Sequence, residues 1–501
     1  MKNLTPTDEQ LDIIEAATTM SSDKILKISA FAGAAKTTTL AMITKSMPKQ
    51  RFLYLAFNKA IVEDSKGIFD YNTKIMTTHS LAFRYALRDR AIRGNYKAIE
   101  IAKKFKTNYT QASRALKIVD LFFNSDLDSI EDVAFEMLDI EMSDLRDIND
   151  FYSSRRVAIK IIDAMSSGEI EITHSCYLKE FEMMLKSGFS LNLEVDYILL
   201  DEAQDTNPVT LSIFAHLGGR KIVVGDKHQQ IYGFRDSLNA MDKLDGDELK
   251  LSVTFRSTQS IVDKANWILN RFKNEQIKIV SGNQNEPIFK TYAYISRTNA
   301  QLIKYIAKHE KFNLTRTPED LFESALSLYY WSNAEHDSIK NRYKYLREFT
   351  DVDELNNYID IAHDYELKVA LDVAKEYKDD LLNLYEKAKS NYSRGSRANL
   401  TLTTAHSAKG LEFDKVQLAD DFAYLIDSIS DISPDIKTLH QMDTHESRAT
   451  IEEINLYYVA CTRAKFELQD KTPNATMESM SRDSIDKLIE HHYSNKFKSK
   501  I

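Results

Sequence analysis

The sequence has 501 residues, of which 43% are hydrophobic, and a net charge of −9. This is about three to four times the length of a typical domain, so we expect several hydrophobic cores. No apolar run reaches the roughly 18 residues of a membrane span, nothing near the N-terminus resembles a signal peptide, and two cysteines make neither a disulfide framework nor a metal cluster. We therefore expect a cytoplasmic, multidomain globular protein with no membrane partner, in which any nucleic-acid contact depends on local patches.

The first motif follows a predicted strand near the N-terminus. The run ILKISA leads into FAGAAKTTTL, where Lys36 and Thr37 open a predicted helix. A strand, a small-residue loop and a Lys-Thr pair are typical of a P-loop, in which backbone N–H groups surround phosphates and the hydroxyl meets Mg²⁺. Ala35 stands where that motif has its second glycine, so an ordinary strand-to-helix turn remains the alternative.

The next stretch contains two polar strand ends and a basic segment. Phe57 ends the predicted strand FLYLAF and Asn58 follows it, and His79 follows the strand that ends near Met76. A lone histidine is more often structural than functional. Residues 84–106, the basic segment, contain eight Arg or Lys side chains and two acidic ones. This helical segment is either a phosphate-tracking patch or a solvated helix face.

The stretch DYILLDEAQD is the centre of the predicted site. Its apolar run predicts a buried parallel strand that ends in Asp201 and Glu202. Carboxylates at the carboxyl end of such a strand can hold Mg²⁺ and polarise an attacking water, although Asp in this place is also a common helix N-cap. The P-loop upstream favours the catalytic interpretation.

Two motifs follow this strand. In KIVVGDKHQQIYGFRDS, another strand is followed by Gln229, Tyr232, Phe234 and Arg235 on a loop. Exposed aromatic rings next to a guanidinium suit stacking on unpaired bases, although Tyr232 and Phe234 could equally be core residues. In LSVTFRSTQS, Phe255 and Arg256 end a further strand.

Together with TLTTAHSAKGLEFDKVQLADDF and EEINLYYVACTRAK, these motifs resemble superfamily 1 helicases of the UvrD/Rep type, and within them the F-box DNA helicases, without an F-box segment. The resemblance covers residues 10–465, and the stretches between the motifs have no counterpart. It implies two RecA-like P-loop motor domains in an α/β fold, each with a mainly helical insert. Too little chain follows Arg463 for a nuclease domain, so we do not expect a helicase–nuclease fusion.

The resemblance also implies residue roles, with ATP and Mg²⁺ as cofactors. Gln10 would read adenine, Phe255 would stack on it, Glu202 would position the water and Gln229 would sense the γ-phosphate. The implied catalytic residues are Glu202, Lys36, Gln229, Arg256 and Arg463, and the implied Mg²⁺ ligands are Thr37 and Asp201. The ATP-binding residues would be Gln10, Ala32, Gly33, Ala34, Ala35, Lys36, Thr37, Thr38, Phe255, Arg256, Gly410, Glu412 and Arg463. The single-strand track would comprise Phe57, Asn58, His79, Tyr232, Phe234, Arg235 and His406.

The chain departs from the family pattern at several of these positions. Ala35 replaces the glycine before the lysine, which could slow turnover. Thr38 replaces an arginine that can contact adenine, and Phe234 replaces a tryptophan. The stretch from Phe57 is one residue shorter than in relatives. We expect stacking on DNA to survive the last two changes.

The motif positions predict the domain boundaries. Residues 1–80 and 191–250 would form the first motor domain, with the insert 81–190, and residues 251–308 and 399–501 the second, with the short insert 309–398. We expect an ATP-driven helicase or translocase on single-stranded DNA and single-strand/duplex junctions, moving 3′ to 5′ as the resembled family does, with a protein partner for the second insert. A protein-stripping translocase and a nucleotide-gated DNA-binding protein with a weakened motor are the alternatives. The pathway, whether repair, recombination, replication or phage-related defence, stays open.

Overall fold

A computed structural model describes residues 5–22, 24–87, 89–138, 145–233, 240–362, 364–392 and 398–498. Within these ranges the chain forms two parallel β-sheets flanked by helices, which confirms the predicted α/β class. No helix in the described ranges has the length and apolar character needed to cross a bilayer.

The first sheet has six parallel strands, all from the N-terminal half of the chain. They are β1 (Ile25–Ala30), β2 (Phe52–Ala56), β3 (Thr73–Thr77), β4 (Tyr197–Leu200), β5 (Arg220–Gly225) and β6 (Asp247–Leu251), in the spatial order β3-β2-β4-β5-β1-β6. β2 and β4 are buried along their whole length, as their continuous apolar runs predict. Because the strands are parallel, the residues that follow β1, β4 and β5 meet at one edge of the sheet.

Helices cover this sheet, and together they form lobe 1. They are α1 (Asp8–Thr19), α2 (Lys36–Ser46), α3 (Lys59–Ser65), α4 (Thr78–Ala86), α5 (Ala98–Phe105), α6 (Tyr109–Asn124), α7 (Leu145–Ser166), α8 (His174–Lys186), α9 (Pro208–His216) and α10 (Ala240–Lys243). Thr7 caps α1 in a capping box with Gln10. Helices α5–α8 lie between β3 and β4 in sequence and form the first insert.

The second sheet belongs to the C-terminal half, which we call lobe 2. After the short parallel pair β7 (Val253–Thr254) and β8 (Val280–Ser281), its strands are β9 (Tyr292–Ser296), β10 (Asn313–Leu314), β11 (Leu400–Thr404), β12 (Phe413–Leu418) and β13 (Ala464–Asp470), in the order β10-β11-β9-β12-β13. β10 pairs with β11, so the second core continues past the predicted boundary at residue 308. A two-residue strand has no periodic pattern from which it could be predicted.

The helices of lobe 2 include the second insert. They are α11 (Gln259–Phe272), α12 (Asn299–Lys308), α13 (Pro318–Ser332), α14 (Val352–Ala362), α15 (Tyr365–Tyr377), α16 (Asp380–Asn391), α17 (Ala405–Ala408), α18 (Leu425–Ser430), α19 (Ile436–Gln441), α20 (His445–Cys461) and α21 (Arg482–Lys498). Helices α13–α16 form the insert. It packs on the first insert, where Tyr109 and Tyr358 meet edge to face at 5.4 Å and Lys97 pairs with Asp364 at 2.9 Å.

Candidate nucleotide-binding site

A cavity of about 700 Å³ lies between the lobes at the carboxyl ends of the strands. Most of the residues with predicted nucleotide roles line it. From lobe 1 these are Gly33, Ala34, Ala35, Lys36, Thr37, Thr38, Asp201 and Glu202, and from lobe 2 Phe255, Arg256, Gly410 and Glu412. The cavity therefore brings together residues that are up to 433 positions apart, since Gly33 and Phe466 share its wall.

The P-loop between β1 and α2 has two residues in the left-handed region. Gly33 has φ 73°, and a Cβ there would lie 2.5 Å from Thr254 Oγ1 and 2.6 Å from Arg256 Cβ. Glycine at this position is therefore required for the close approach of lobe 2, where the Phe255 N–H donates to the Gly33 carbonyl at 3.0 Å. Ala35 has φ 58° and ψ 40°. Its methyl group makes this conformation about 1–2 kcal/mol less favourable than a right-handed one.

Five side chains form a polar group at the start of α2. The Lys36 ammonium lies 2.8 Å from Glu202 Oε2. Thr37 donates a hydrogen bond of 3.0 Å to Asp201 Oδ2, and the Tyr54 hydroxyl donates one of 2.6 Å to the same oxygen. Tyr54, in the buried strand β2, was not predicted, because an apolar strand pattern does not show which ring carries a functional contact.

The charges of this group depend on burial and on one another. Burial lowers the pKa of Lys36, but Glu202, Asp201 and Asp226 outweigh it, so the net shift is upward. Burial raises the pKa of Glu202, yet Lys36 and Lys409 bring it down to about 2. Burial and the neighbouring Glu202 raise the pKa of Asp201. At neutral pH Glu202 is therefore an ionised carboxylate beside the protonated ammonium of Lys36.

Lobe 2 contributes cations to the opposite wall. Arg256 Nε donates to Glu412 Oε2 at 3.0 Å, and Lys465 pairs with the other oxygen of the same carboxylate at 2.9 Å. The Arg256 guanidinium also donates to the Thr462 carbonyl at 3.3 Å. Lys465, which lines the cavity, lies in the motif that carried the resemblance but was not singled out.

Gln229 connects the lobes behind the cavity wall. Its side-chain oxygen accepts a hydrogen bond of 3.3 Å from Arg463, and its amide nitrogen donates one of 2.6 Å to Asp226. Arg463 is 1% exposed, and burial and Arg256 lower its pKa to about 9, which leaves it protonated at neutral pH. Gln229 and Arg463 therefore lie behind the wall that the predicted phosphate contacts form.

Lys409 is a second link between the lobes and was missed by sequence reasoning. Its ammonium donates to the Gln229 carbonyl at 2.6 Å and forms an ion pair with Asp205. Burial raises the pKa of Asp205 to about 6, against the opposing effect of Lys409. The available signal was its position in SAKGLEF, between His406 and Gly410.

Besides Arg463, two predicted nucleotide contacts do not line the cavity. Gln10 is 3% exposed, and its side chain accepts from the Thr7 N–H at 3.1 Å and donates to Thr39 at 2.9 Å. Ala32 is buried, and its N–H donates to the Tyr458 hydroxyl at 3.3 Å. Capping of α1 thus occupies the amide that was predicted to read adenine.

Three of the predicted DNA-binding residues form one aromatic group. The rings of Phe57 and Tyr232 stack at 5.6 Å between centroids, and His406 lies 6.3 Å from Tyr232. The Lys409 ammonium lies 5.2 Å from the centre of the Tyr232 ring. Because Phe57 and Tyr232 belong to lobe 1 and His406 to lobe 2, the group spans both lobes.

The other predicted DNA contacts lie elsewhere. Asn58 caps α3 by accepting from the Ile61 N–H at 2.9 Å. His79 meets Tyr177 of the first insert edge to face at 6.1 Å, and burial lowers its pKa to about 4, so it is neutral at physiological pH. Phe234 and Arg235 lie outside the described residues.

The basic segment does not form one helix. Its residues lie at the end of α4, in an irregular stretch and in α5, and most of its described cations pair with carboxylates. The pairs are Arg90–Glu180, Arg93–Glu100, Lys97–Asp364, Lys103–Glu348 and Lys104–Glu169. Such pairing favours a structural role over a phosphate-tracking patch.

Comparison with known proteins agrees with this arrangement. Residues 11–248 match the UvrD/REP helicase N-terminal domain, and residues 321–469 match the UvrD-like helicase C-terminal domain. The chain is 28% identical over 92% of its length to F-box DNA helicase protein 1 of Schizosaccharomyces pombe and 26% identical over 88% to F-box DNA helicase 1 of Gallus gallus. It spans 57% and 47% of those proteins. A probable DNA helicase of Mycoplasma pneumoniae is 23% identical over 87% of the chain and 78% of the relative.

The first matched region contains strands β1–β5 and the start of β6, together with the motif residues Lys36, Asp201 and Glu202, and the second contains β11, β12 and most of β13, together with Gly410 and Glu412. The order of those motifs, the topology of both sheets and the paired domain matches show that the chain belongs to the UvrD-like helicase family.

Proposed function

We propose that the protein hydrolyses ATP with Mg²⁺ in this cavity and uses the cycle to move 3′ to 5′ along single-stranded DNA and to open junctions. One observation carries the proposal. Lys36, Thr37, Asp201 and Glu202 of lobe 1 face the same cavity as Arg256 of lobe 2. Phosphoryl transfer requires this combination, because the charge of the transferring group must be met by positioned cations while a carboxylate orients the attacking water.

The residues at the P-loop fit a nucleotide and a hard cation. The N–H groups at the start of α2 and the Lys36 ammonium would hold phosphates. Thr37 and Asp201 would hold Mg²⁺, which prefers oxygen ligands and keeps several waters. Among the described residues no cluster of three or more His, Cys, Asp or Glu side chains could hold a metal by itself, so phosphate and water oxygens would have to complete the shell.

Glu202 is placed to act on the attacking water. It is ionised, and its neighbour Lys36 fixes its position at 2.8 Å. Its backbone lies in the left-handed region at φ 53°, a conformation uncommon for a residue with a side chain. Arg256 would approach the phosphates from lobe 2, so hydrolysis would require the lobes to be closed.

The aromatic group connects this closure to DNA. Bases that stack on Phe57, Tyr232 and His406 would be held by both lobes at once. Gln229 lies three residues before Tyr232 and bonds to Arg463, so a change at the nucleotide would move the same loop that holds a base. The family resemblance supports the 3′ to 5′ direction.

The test is a DNA-stimulated ATPase assay followed by strand separation on forked duplexes with 3′ or 5′ tails. Lys36→Ala should abolish hydrolysis, whereas Lys45→Ala, in the last turn of the same helix, should not. Unwinding only with a 3′ tail supports the proposal. ATPase activity with displacement of a bound protein but no strand separation would identify a protein-stripping translocase, and nucleotide-dependent DNA binding without hydrolysis would identify a weakened motor.

A further inference from the structure

One irregular segment of lobe 2 forms part of the cavity wall. Of the eight residues 283–290, between β8 and β9, five line the cavity. They are Asn283, Asn285, Glu286, Ile288 and Lys290. We call this stretch the 283–290 segment. None of its residues belongs to the motifs that carried the family resemblance.

Hydrogen bonds hold both ends of the 283–290 segment on lobe 2. Asn283 donates to the Arg256 carbonyl at 2.8 Å, and its side-chain oxygen accepts from the backbone and side chain of Asn285, each at 2.9 Å. At the other end, the Lys290 N–H donates to Asp414 Oδ2 at 2.9 Å. The segment is therefore positioned before any ligand binds.

The segment begins beside the ring that is expected to stack on the base. A Cβ at Gly282 would lie 3.2 Å from the Phe255 ring, so the glycine packs directly on that ring. Phe255 is 42% exposed and lines the cavity. A nucleoside stacked on its exposed part would have its edge near the 283–290 segment.

The cavity needs polar groups for the nucleoside, because the predicted one is occupied. Both polar atoms of the Gln10 side chain already have partners, and Gln10 does not line the cavity. Thr38 offers only a short hydroxyl in place of an arginine. The 283–290 segment presents the Glu286 carboxylate to the same space.

The charge of Glu286 indicates which part of a nucleotide it faces. Within the described ranges, Glu286 is exposed and forms no ion pair, in contrast to Glu202 and Glu412, which each pair with a cation at the cavity. An unpaired carboxylate would repel a triphosphate. A carboxylate only accepts hydrogen bonds, and ribose hydroxyls are donors that the nucleoside supplies.

We propose that Glu286 accepts a hydrogen bond from the ribose 2′-hydroxyl of the bound nucleotide, and that the 283–290 segment thereby makes the site selective for ribonucleotides over deoxyribonucleotides. This inference rests on the proposed ATPase function. A carboxylate that accepts from a ribose hydroxyl is a recurrent means of nucleotide recognition in proteins.

The test compares hydrolysis of ATP and dATP by the full chain at saturating single-stranded DNA. We expect the wild-type protein to prefer ATP by about tenfold or more in kcat/KM, as a hydrogen bond to a charged group would provide. Glu286→Ala should raise KM for ATP to the value for dATP while leaving kcat and the constants for dATP unchanged. Glu490→Ala, an exposed carboxylate on α21, is the matched control and should keep the preference.

The possible failures are distinguishable. Equal loss of ATP and dATP hydrolysis in Glu286→Ala would indicate a purely structural role and overturn the inference, and so would an unchanged preference. Equal use of both nucleotides by the wild-type protein would also overturn it, while leaving the ATPase function intact. Hydrolysis of neither nucleotide by the wild-type protein would overturn the proposed function itself.

Discussion

Two regions of this molecule are rich in charge, and their charges have different surroundings. At the interlobe cavity, Lys36, Glu202 and Arg256 line an open space of about 700 Å³. In the basic segment, cations such as Arg90 and Lys97 already have carboxylate partners within the inserts. The cavity charges are paired as well, Lys36 with Glu202 and Arg256 with Glu412, but they border an open space that a ligand can enter. Most described charges of the basic segment instead hold the inserts together.

The two regions differ in how well a sequence pattern predicts a functional site. A count of basic residues shows that charge is present but does not show its partners, which come from positions as distant as Asp364 and Glu348. The motif signal is more specific, because strand ends in a parallel sheet meet at one edge.

The largest effect is expected for Glu202→Gln. An amide cannot act as the carboxylate that orients and activates water, so the ATPase rate should fall by about 10²–10⁴-fold. Nucleotide should stay bound, which a filter-binding assay with labelled ATP would show. Glu63→Gln, on the exposed face of α3, is the control, and near wild-type turnover in Glu202→Gln would mean that the catalytic carboxylate is misassigned.

Gln229→Ala should reduce the stimulation of ATP hydrolysis by DNA without weakening DNA binding. It removes the side chain that bonds to Arg463 and leaves a buried guanidinium short of a partner. We expect about a tenfold loss of the DNA-stimulated rate, since hydrogen bonds to charged groups are worth about 1.5–3 kcal/mol. DNA affinity, measured by fluorescence anisotropy, should not change, and a parallel loss of affinity would contradict this assignment.

The ion pair Asp205–Lys409 should make the DNA-stimulated ATPase rate depend on pH. Burial raises the pKa of Asp205 to about 6, so the carboxylate is charged above about pH 6 and protonated below it. The ion pair, and with it the DNA-stimulated rate, should be lost as the pH falls through 6. Asp205→Asn should be impaired at pH 8 and show no further step near pH 6. An identical step in the variant would assign the titration to another group.

Ala35→Gly should stabilise lobe 1 slightly. The substitution relieves a left-handed alanine, worth about 1–2 kcal/mol, and costs about 0.5–1 kcal/mol of unfolded-chain entropy. The expected gain is therefore about 0.5–1 kcal/mol in urea unfolding. Ala34→Gly, which makes the same chemical change at a residue without positive φ, should destabilise the protein instead. A loss of stability in Ala35→Gly would show that the loop is not strained.

The smallest effect is expected when two positive charges of the basic segment are replaced by negative ones. Lys103→Glu with Lys104→Glu removes two exposed ion pairs, each worth about 0–1 kcal/mol. Single-strand affinity and its salt dependence should change little. A salt slope reduced by about 0.7 for each lysine would mean that both contact phosphates, and the contrast between the two regions would fail.

Much of the cavity could be predicted from the sequence. The strand that ends in Asp201 and Glu202, and the loop before Lys36, were predicted from short apolar runs and adjacent polar residues, and all three side chains lie together. The two-sheet architecture was predicted from the resemblance and is confirmed. Such patterns are local, because strand propensity, loop size and helix start are set by neighbours in the chain.

Only the tertiary structure decided which partners the remaining side chains have. Gln10 is engaged by Thr7 and Thr39, His79 lies against the first insert, and Lys409 bridges the lobes. These outcomes depend on contacts between residues far apart in the chain, and no local pattern specifies them. The sequence by itself determined the motor class and the phosphate end of the site, whereas packing of the two lobes and their inserts determined which charges remain available to a ligand.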